Sequence, residues 1–168
     1  MMKSCYLVLI LALTGMFNIQ NTVSGDCCCK CPSNSWRIFD KNCYFVSYWT
    51  ATTWQTAQKL CMNSGADLTS ITSPEEQGYI YDWTKKVNLI YGSAAYFIGL
   101  HDLITEGSWV WIDGSAYSHS NGYKNWASGR PITGVVNTID CSNMMSTGKW
   151  ADIHCNHSRR YICKKKCC

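Results

Sequence analysis

The chain has 168 residues, 46% of them hydrophobic and 15% charged, with a formal net charge of +4. That is the size of one ordinary domain with room for a real core, and the charge is too mild for a nucleic-acid binder without a basic stripe or a known motif. Its 12 cysteines are too many for a reducing compartment and read as the disulfide framework of a secreted, extracellular protein.

The N-terminus reads as a signal peptide over residues 1–25. Lys3 supplies the positive start, Leu7 to Met16 an apolar run too short for a membrane span, and Val23-Ser24-Gly25 the small residues before cleavage. No later stretch is apolar enough to cross a bilayer, so no transmembrane segment is expected. A cysteine-rich leader over 26–30 follows, then one domain over 31–164 and a short basic, cysteine-bearing tail over 165–168. Arg159-Arg160 and Lys164-Lys165-Lys166 gather the positive charge near the C-terminus, where the plain reading is a solvated end.

Cys43 to Val46 is the first β-rich run. Thr53 then caps a helix whose apolar face is Trp54, Ala57 and Cys61, with Leu60 beside them and Gly65 just past its end. Ser73-Pro74-Glu75-Glu76 has the form of a capping box with proline at the first helical position, and Ile80, Trp83 and Val87 share one face beyond it. Tyr96 to Leu100 and Trp109 to Ile112 are short strands, the second ended by Asp113-Gly114. From Tyr117 to Thr138 the composition turns to Ser, Asn, Gly, Tyr and Thr without period, which predicts a long irregular loop. Cys141 to Met145 and Lys149 to Ala151 flank Ser146-Thr147-Gly148 as a hairpin, and Tyr161 to Cys163 is a last strand.

Six cysteines, Cys31, Cys43, Cys61, Cys141, Cys155 and Cys163, stand in order around a tryptophan-glycine grammar. Its pieces are Phe97-Ile98-Gly99-Leu100, Glu106 to Gly114, Asn125-Trp126 and Gly148-Lys149-Trp150-Ala151-Asp152. Six cysteines alone allow about 15 pairings. The ordered set, covering Cys31 through Cys163, resembles the C-type lectin-like domain. The resemblance implies an α+β fold: two helices flank two small antiparallel sheets, and a long loop region lies on top. It also implies the pairs Cys61–Cys163, Cys141–Cys155 and Cys31–Cys43, and a core role for Trp109, Trp111 and Trp150.

The same resemblance says where calcium and sugar would bind. Calcium takes 6–8 oxygen ligands, several of them charged. The family's Glu-Pro-Asn or Gln-Pro-Asp tripeptide reads Arg130-Pro131-Ile132 here, a further carboxylate position falls on Ile139, and Trp-Asn-Asp reads Trp150-Ala151-Asp152. Asp152 alone remains, so it either pairs with Arg130 or stands apart from it. An auxiliary calcium position keeps Asp102, Glu106 and Asp140 but has Thr133 where another carboxylate belongs. No cofactor is required on this reading, and calcium binds weakly at most.

His154, Cys155 and His157 have a zinc-like grouping, but the implied disulfide claims Cys155. No nucleophile arrangement and no phosphate loop is recognisable, so no catalysis is expected. Asn156-His157-Ser158 is an N-glycosylation sequon. Removal of Cys5 with the signal leaves Cys27, Cys28, Cys29, Cys167 and Cys168 outside the framework. An odd remainder predicts a bond to another chain, with these five as candidates and with some joining leader to tail. The sequence thus points to a secreted recognition protein with a glycan or protein ligand. As a lectin it would use Tyr117, Tyr123, Asn125, Arg130 and Asp152 in a calcium-independent loop site. The alternatives are a protein-binding subunit of a disulfide-linked homo- or hetero-oligomer, and an ice- or mineral-binding surface.

Overall fold

The computed structural model describes residues 29–117, 122–132 and 138–167. The expected signal peptide, Cys27, Cys28, Thr133 and Cys168 lie outside the described residues.

The elements run β1 (Arg37–Phe39), β2 (Asn42–Val46), α1 (Trp54–Met62), β3 (Asp67–Leu68), α2 (Pro74–Tyr91), β4 (Tyr96–His101), β5 (Val110–Trp111), β6 (Cys141–Met144), β7 (Trp150–Ile153) and β8 (Arg160–Lys166). The strands lie in the order β1-β2-β8-β4-β6-β7, with β3 on β8 and β5 on β4. The class is α+β. The two expected sheets are joined by a short parallel pairing of β4 with β8, Tyr96 to Arg160 and Phe97 to Tyr161, so the whole is one mixed sheet.

Every residue of β4 is buried, because a helix layer covers each face of the sheet there. Tyr96, Ile98 and Leu100 join Ile80, Trp83 and Val87 of α2, together with Trp109, Trp111 and Trp150. Phe97 points the other way, to Trp54, Ala57 and Cys61 of α1. Gly99 lets β4 approach β3 closely, since a Cβ there would lie 2.5 Å from the Leu68 carbonyl oxygen.

Thr53 caps α1 through the Thr56 amide and Ser73 caps α2 through the Glu76 amide. The expected capping box does not close on Ser73. The Glu76 carboxylate, 5% exposed, accepts from the Thr72 amide and hydroxyl, from the Tyr44 hydroxyl at 2.6 Å and from Lys164 at 2.5 Å. A buried carboxylate takes the charge-assisted partners that the core offers. The same contact corrects the reading of the C-terminal lysines as a solvated end. Strand β8 continues to Lys166, paired along β2, and carries Lys164 into that cluster.

Disulfides join Cys31 to Cys43, Cys61 to Cys163 and Cys141 to Cys155, with Cα separations of 5.6, 5.4 and 5.1 Å. A fourth joins Cys29 to Cys167. These two cysteines stood among the five candidates for bonds to another chain, some of which were also expected to join leader to tail. Within one chain they are partners, because β8 delivers the tail beside Lys41 and the leader. Were Cys5 removed with the expected signal peptide, Cys27, Cys28 and Cys168 would leave an odd remainder.

Candidate functional site: an ion pair in the loop region

The loop returns to the sheet at Tyr123 and runs beside β7. The Trp150 amide donates to the Asn125 carbonyl and the Ala127 amide to the Trp150 carbonyl, each at 2.8 Å. The Asn125 side chain braces this junction from both ends. Its amide donates to the Gly148 carbonyl and its oxygen accepts from Lys149, again at 2.8 Å each. Gln77 of α2 completes it, accepting from the Trp150 indole at 2.8 Å and donating to the Gly148 carbonyl at 3.0 Å. Aromatic edges fill the space beneath. Trp126 meets Trp109 and Trp150, and Tyr123 meets Trp150. The Trp126 indole donates to the Tyr117 hydroxyl at 2.9 Å.

This zipper sets Arg130 over β7. Its guanidinium donates to Asp152 Oδ1 at 2.9 Å, while the Ile132 amide donates to Oδ2 at 2.9 Å. The Asp152 side chain is 1% exposed and that of Arg130 35%. Both carboxylate oxygens are therefore spent, and a cation already faces them. A calcium ion does not fit this donor set. Ile132, Ile139 and Ala151 add no side-chain oxygen. Of the five candidate contacts, Arg130 and Asp152 come together directly, while Asn125, Tyr117 and Tyr123 brace the loop that carries them. Burial pushes both tyrosine hydroxyls above their ordinary titration range.

The auxiliary carboxylates fit a cation only in part. Asp102 is buried, with Oδ2 accepting from the Gly107 amide at 2.8 Å and Oδ1 without a hydrogen-bond partner. Burial raises its pKa, and the nearby Glu106 and Asp140 charges add to the shift. An orphaned buried oxygen facing like charges is a reason to attract a cation. Among the described residues, however, these carboxylates do not converge. The one trio of ligand atoms within 4.8 Å is Cys29, Cys43 and Cys167, all in disulfides. Cys155 is likewise bonded, which leaves His154 and His157 edge to face at 5.5 Å without a thiolate. Asn156 of the sequon is exposed.

Sequence reasoning expected a leader-to-tail bond without naming Cys29 and Cys167 as the pair, and it missed the buried Glu76 cluster. It also missed an aromatic recess around Trp49. The only sequence signal for that recess was an apolar tryptophan in a polar connection between a strand and a helix cap.

Among the described residues no helix is long and apolar enough to cross a membrane. The Lectin C-type domain family matches residues 50–165. A perlucin-like protein of Mytilus galloprovincialis is 38% identical over 147 residues, which cover 83% of this chain and 87% of that protein. C-type lectin domain family 4 member M of Symphalangus syndactylus is 37% identical over 138 residues, 82% of this chain, and the match spans only 30% of that longer protein. A calcium-independent type II antifreeze protein superposes with a TM-score of 0.68 at 29% identity, covering 81% of this chain and 95% of its own. The cow C-type carbohydrate-recognition domain of CD23, solved with a GlcNAc2Man3 oligosaccharide, gives 0.70 at 30%, covering 84% and 99%. The chain belongs to the C-type lectin domain family of non-enzymatic binding proteins.

Proposed function

We propose that the protein is a secreted carbohydrate-recognition domain whose principal loop site works without calcium. The observation that carries this is the engagement of both Asp152 oxygens, one by Arg130 and one by the Ile132 amide. In this reading the guanidinium takes the place of the metal charge. Asp152 positions Arg130, and Asn125 positions the strand beneath. Sugar hydroxyls or a sugar carboxylate then meet the exposed third of Arg130 and the rims of Tyr117 and Tyr123. Likeness to a calcium-independent antifreeze protein and to a domain solved with an oligosaccharide supports a fold that carries either property. The auxiliary carboxylates Asp102, Glu106 and Asp140 hold calcium weakly at most. A glycan array with the secreted protein, run in calcium and again in chelator, tests the reading. Equal binding patterns are expected, and a pattern that chelator abolishes would refute it.

A second reading is supported by the cysteine remainder. With Cys29 bonded to Cys167, an odd number of cysteines remains at Cys27, Cys28 and Cys168. A covalent homo- or hetero-oligomer would then present several copies of one face, to a protein ligand or with avidity to a glycan. Secretion after a signal peptide over 1–25 and glycosylation at Asn156 belong to the same proposal.

A further inference from the structure

We propose a second ligand site, away from the loop region, in which Trp49 and Arg159 bind an acidic saccharide. The site lies where β2 ends and where β4 and β8 begin. Trp49 is 76% exposed, so it adds little to the core. It is nevertheless held in place. Its ring meets Tyr91 edge to face at 4.7 Å and Tyr48 at 5.8 Å, and Tyr48 stacks on Tyr91 at 5.1 Å. The backbone beneath is clamped by reciprocal bonds of Thr52 with Arg159, at 2.9 and 3.0 Å. A large indole kept in water on a rigid mount is a platform for the apolar face of a pyranose ring.

The recess beside it is about 460 Å³ and is lined by Trp49, Ser93, Ser158, Arg159 and Arg160, with alanines making up the rest. Among the described residues no carboxylate lines it. Neither arginine has an acidic partner among the described residues, where the ion pairs are Arg130–Asp152 and Lys164–Glu76. Arg160 spends its donors on neutral groups, the Tyr91 carbonyl at 2.6 Å and the Gly92 carbonyl at 3.0 Å. Among the described residues, the Arg159 side chain bonds only the Ser158 carbonyl through one terminal nitrogen, and its Nε is buried with no partner. An orphaned buried donor is costly unless something completes it. A guanidinium matches a carboxylate or sulfate in planar geometry, and serine hydroxyls suit ring hydroxyls. The recess is open and floored by alanine, without the deep apolar pockets that would anchor a peptide side chain.

The test follows the Trp49 indole signal by heteronuclear NMR of the mature chain, assigned through Trp49→Phe. The titrants are chondroitin 4-sulfate tetrasaccharide, hyaluronan tetrasaccharide, neutral chitotetraose and hexa-aspartate. Saturable shifts are expected with the sulfated sugar. Shifts with hyaluronan as well would assign the anion to the uronate, and their absence would assign it to the sulfate. Trp49→Ala and Arg159→Gln should each weaken binding about tenfold or more, and Arg130→Gln should leave it unchanged, which separates this site from the loop site. Equal binding of chitotetraose, equal shifts with hexa-aspartate, no saturation by either acidic sugar, or full affinity in Trp49→Ala would each overturn the proposal. Because Trp49 is exposed, its variants should keep the wild-type fold, which circular dichroism checks.

Discussion

Arg130→Ala should destabilise the domain by about 2 kcal/mol, below the 3–5 kcal/mol typical of breaking a fully buried pair. The Asp152 side chain is 1% exposed and cannot recover water, which argues for a large effect, but Arg130 is 35% exposed and partly screened. A charge-assisted bond of this kind contributes about 1.5–3 kcal/mol. Asp152→Ala should cost more, about 3 kcal/mol, because it also strips the Ile132 amide of its acceptor. The double variant should fall short of the sum by about 1–2 kcal/mol, the coupling between the two side chains. Urea unfolding of the oxidised protein measures this, in calcium and in chelator. The cost should be the same in both, because the ion pair, not a metal, holds the loop to β7. If Arg130→Ala lies within about 0.5 kcal/mol of wild type, the ordinary range for surface substitutions, the pair does not hold the loop and the reasoning fails.

Further outcomes follow from other parts of the fold. Glu76→Gln should cost about 3 kcal/mol in the same unfolding assay, because it leaves Lys164 without its carboxylate in a buried cluster; an unchanged midpoint would contradict the role given to that cluster. Ser73→Ala should cost about 1 kcal/mol through the lost cap of α2. It should also raise the titration midpoint of Glu75, whose carboxyl is held below its ordinary value by its own backbone N–H and then by the Ser73 hydroxyl. A carboxyl depressed in the folded state stabilises at neutral pH and loses that contribution as pH falls through the depressed value. The Ser73→Ala deficit should therefore narrow below the ordinary carboxylate value of about 4.3, which carboxyl-detected NMR and unfolding at several pH values would check. Non-reducing electrophoresis of the protein collected from a secretory expression host should show a covalent dimer or larger species through Cys27, Cys28 or Cys168, and a monomer would reject the covalent assembly.

What could be read from the residues divides along physical lines. Helix starts were legible because Thr53 and Ser73 cap through atoms a few residues away. The defects in the calcium site were legible because ligand chemistry is a property of single residues: Arg130, Ile132 and Ala151 lack carboxylate oxygens wherever the chain places them. Apart from the disulfides that the family resemblance implied, long-range partners were not. Glu76 has the capping-box spacing, yet Tyr44 and Lys164, distant in the chain, draw it away. The lysines after Cys163 look like a solvated end until β2 is seen beside them. Asp152 and Arg130 could be named but not joined, because the loop between the strands has no period from which to fix its path.

Calorimetric titration of the mature chain with calcium chloride tests the central claim most directly. The account predicts no tight binding in the loop site. Any weak heat should be abolished by Asp102→Ala or Glu106→Ala and should persist in Asp152→Ala. One tight site that disappears in Asp152→Ala would contradict it.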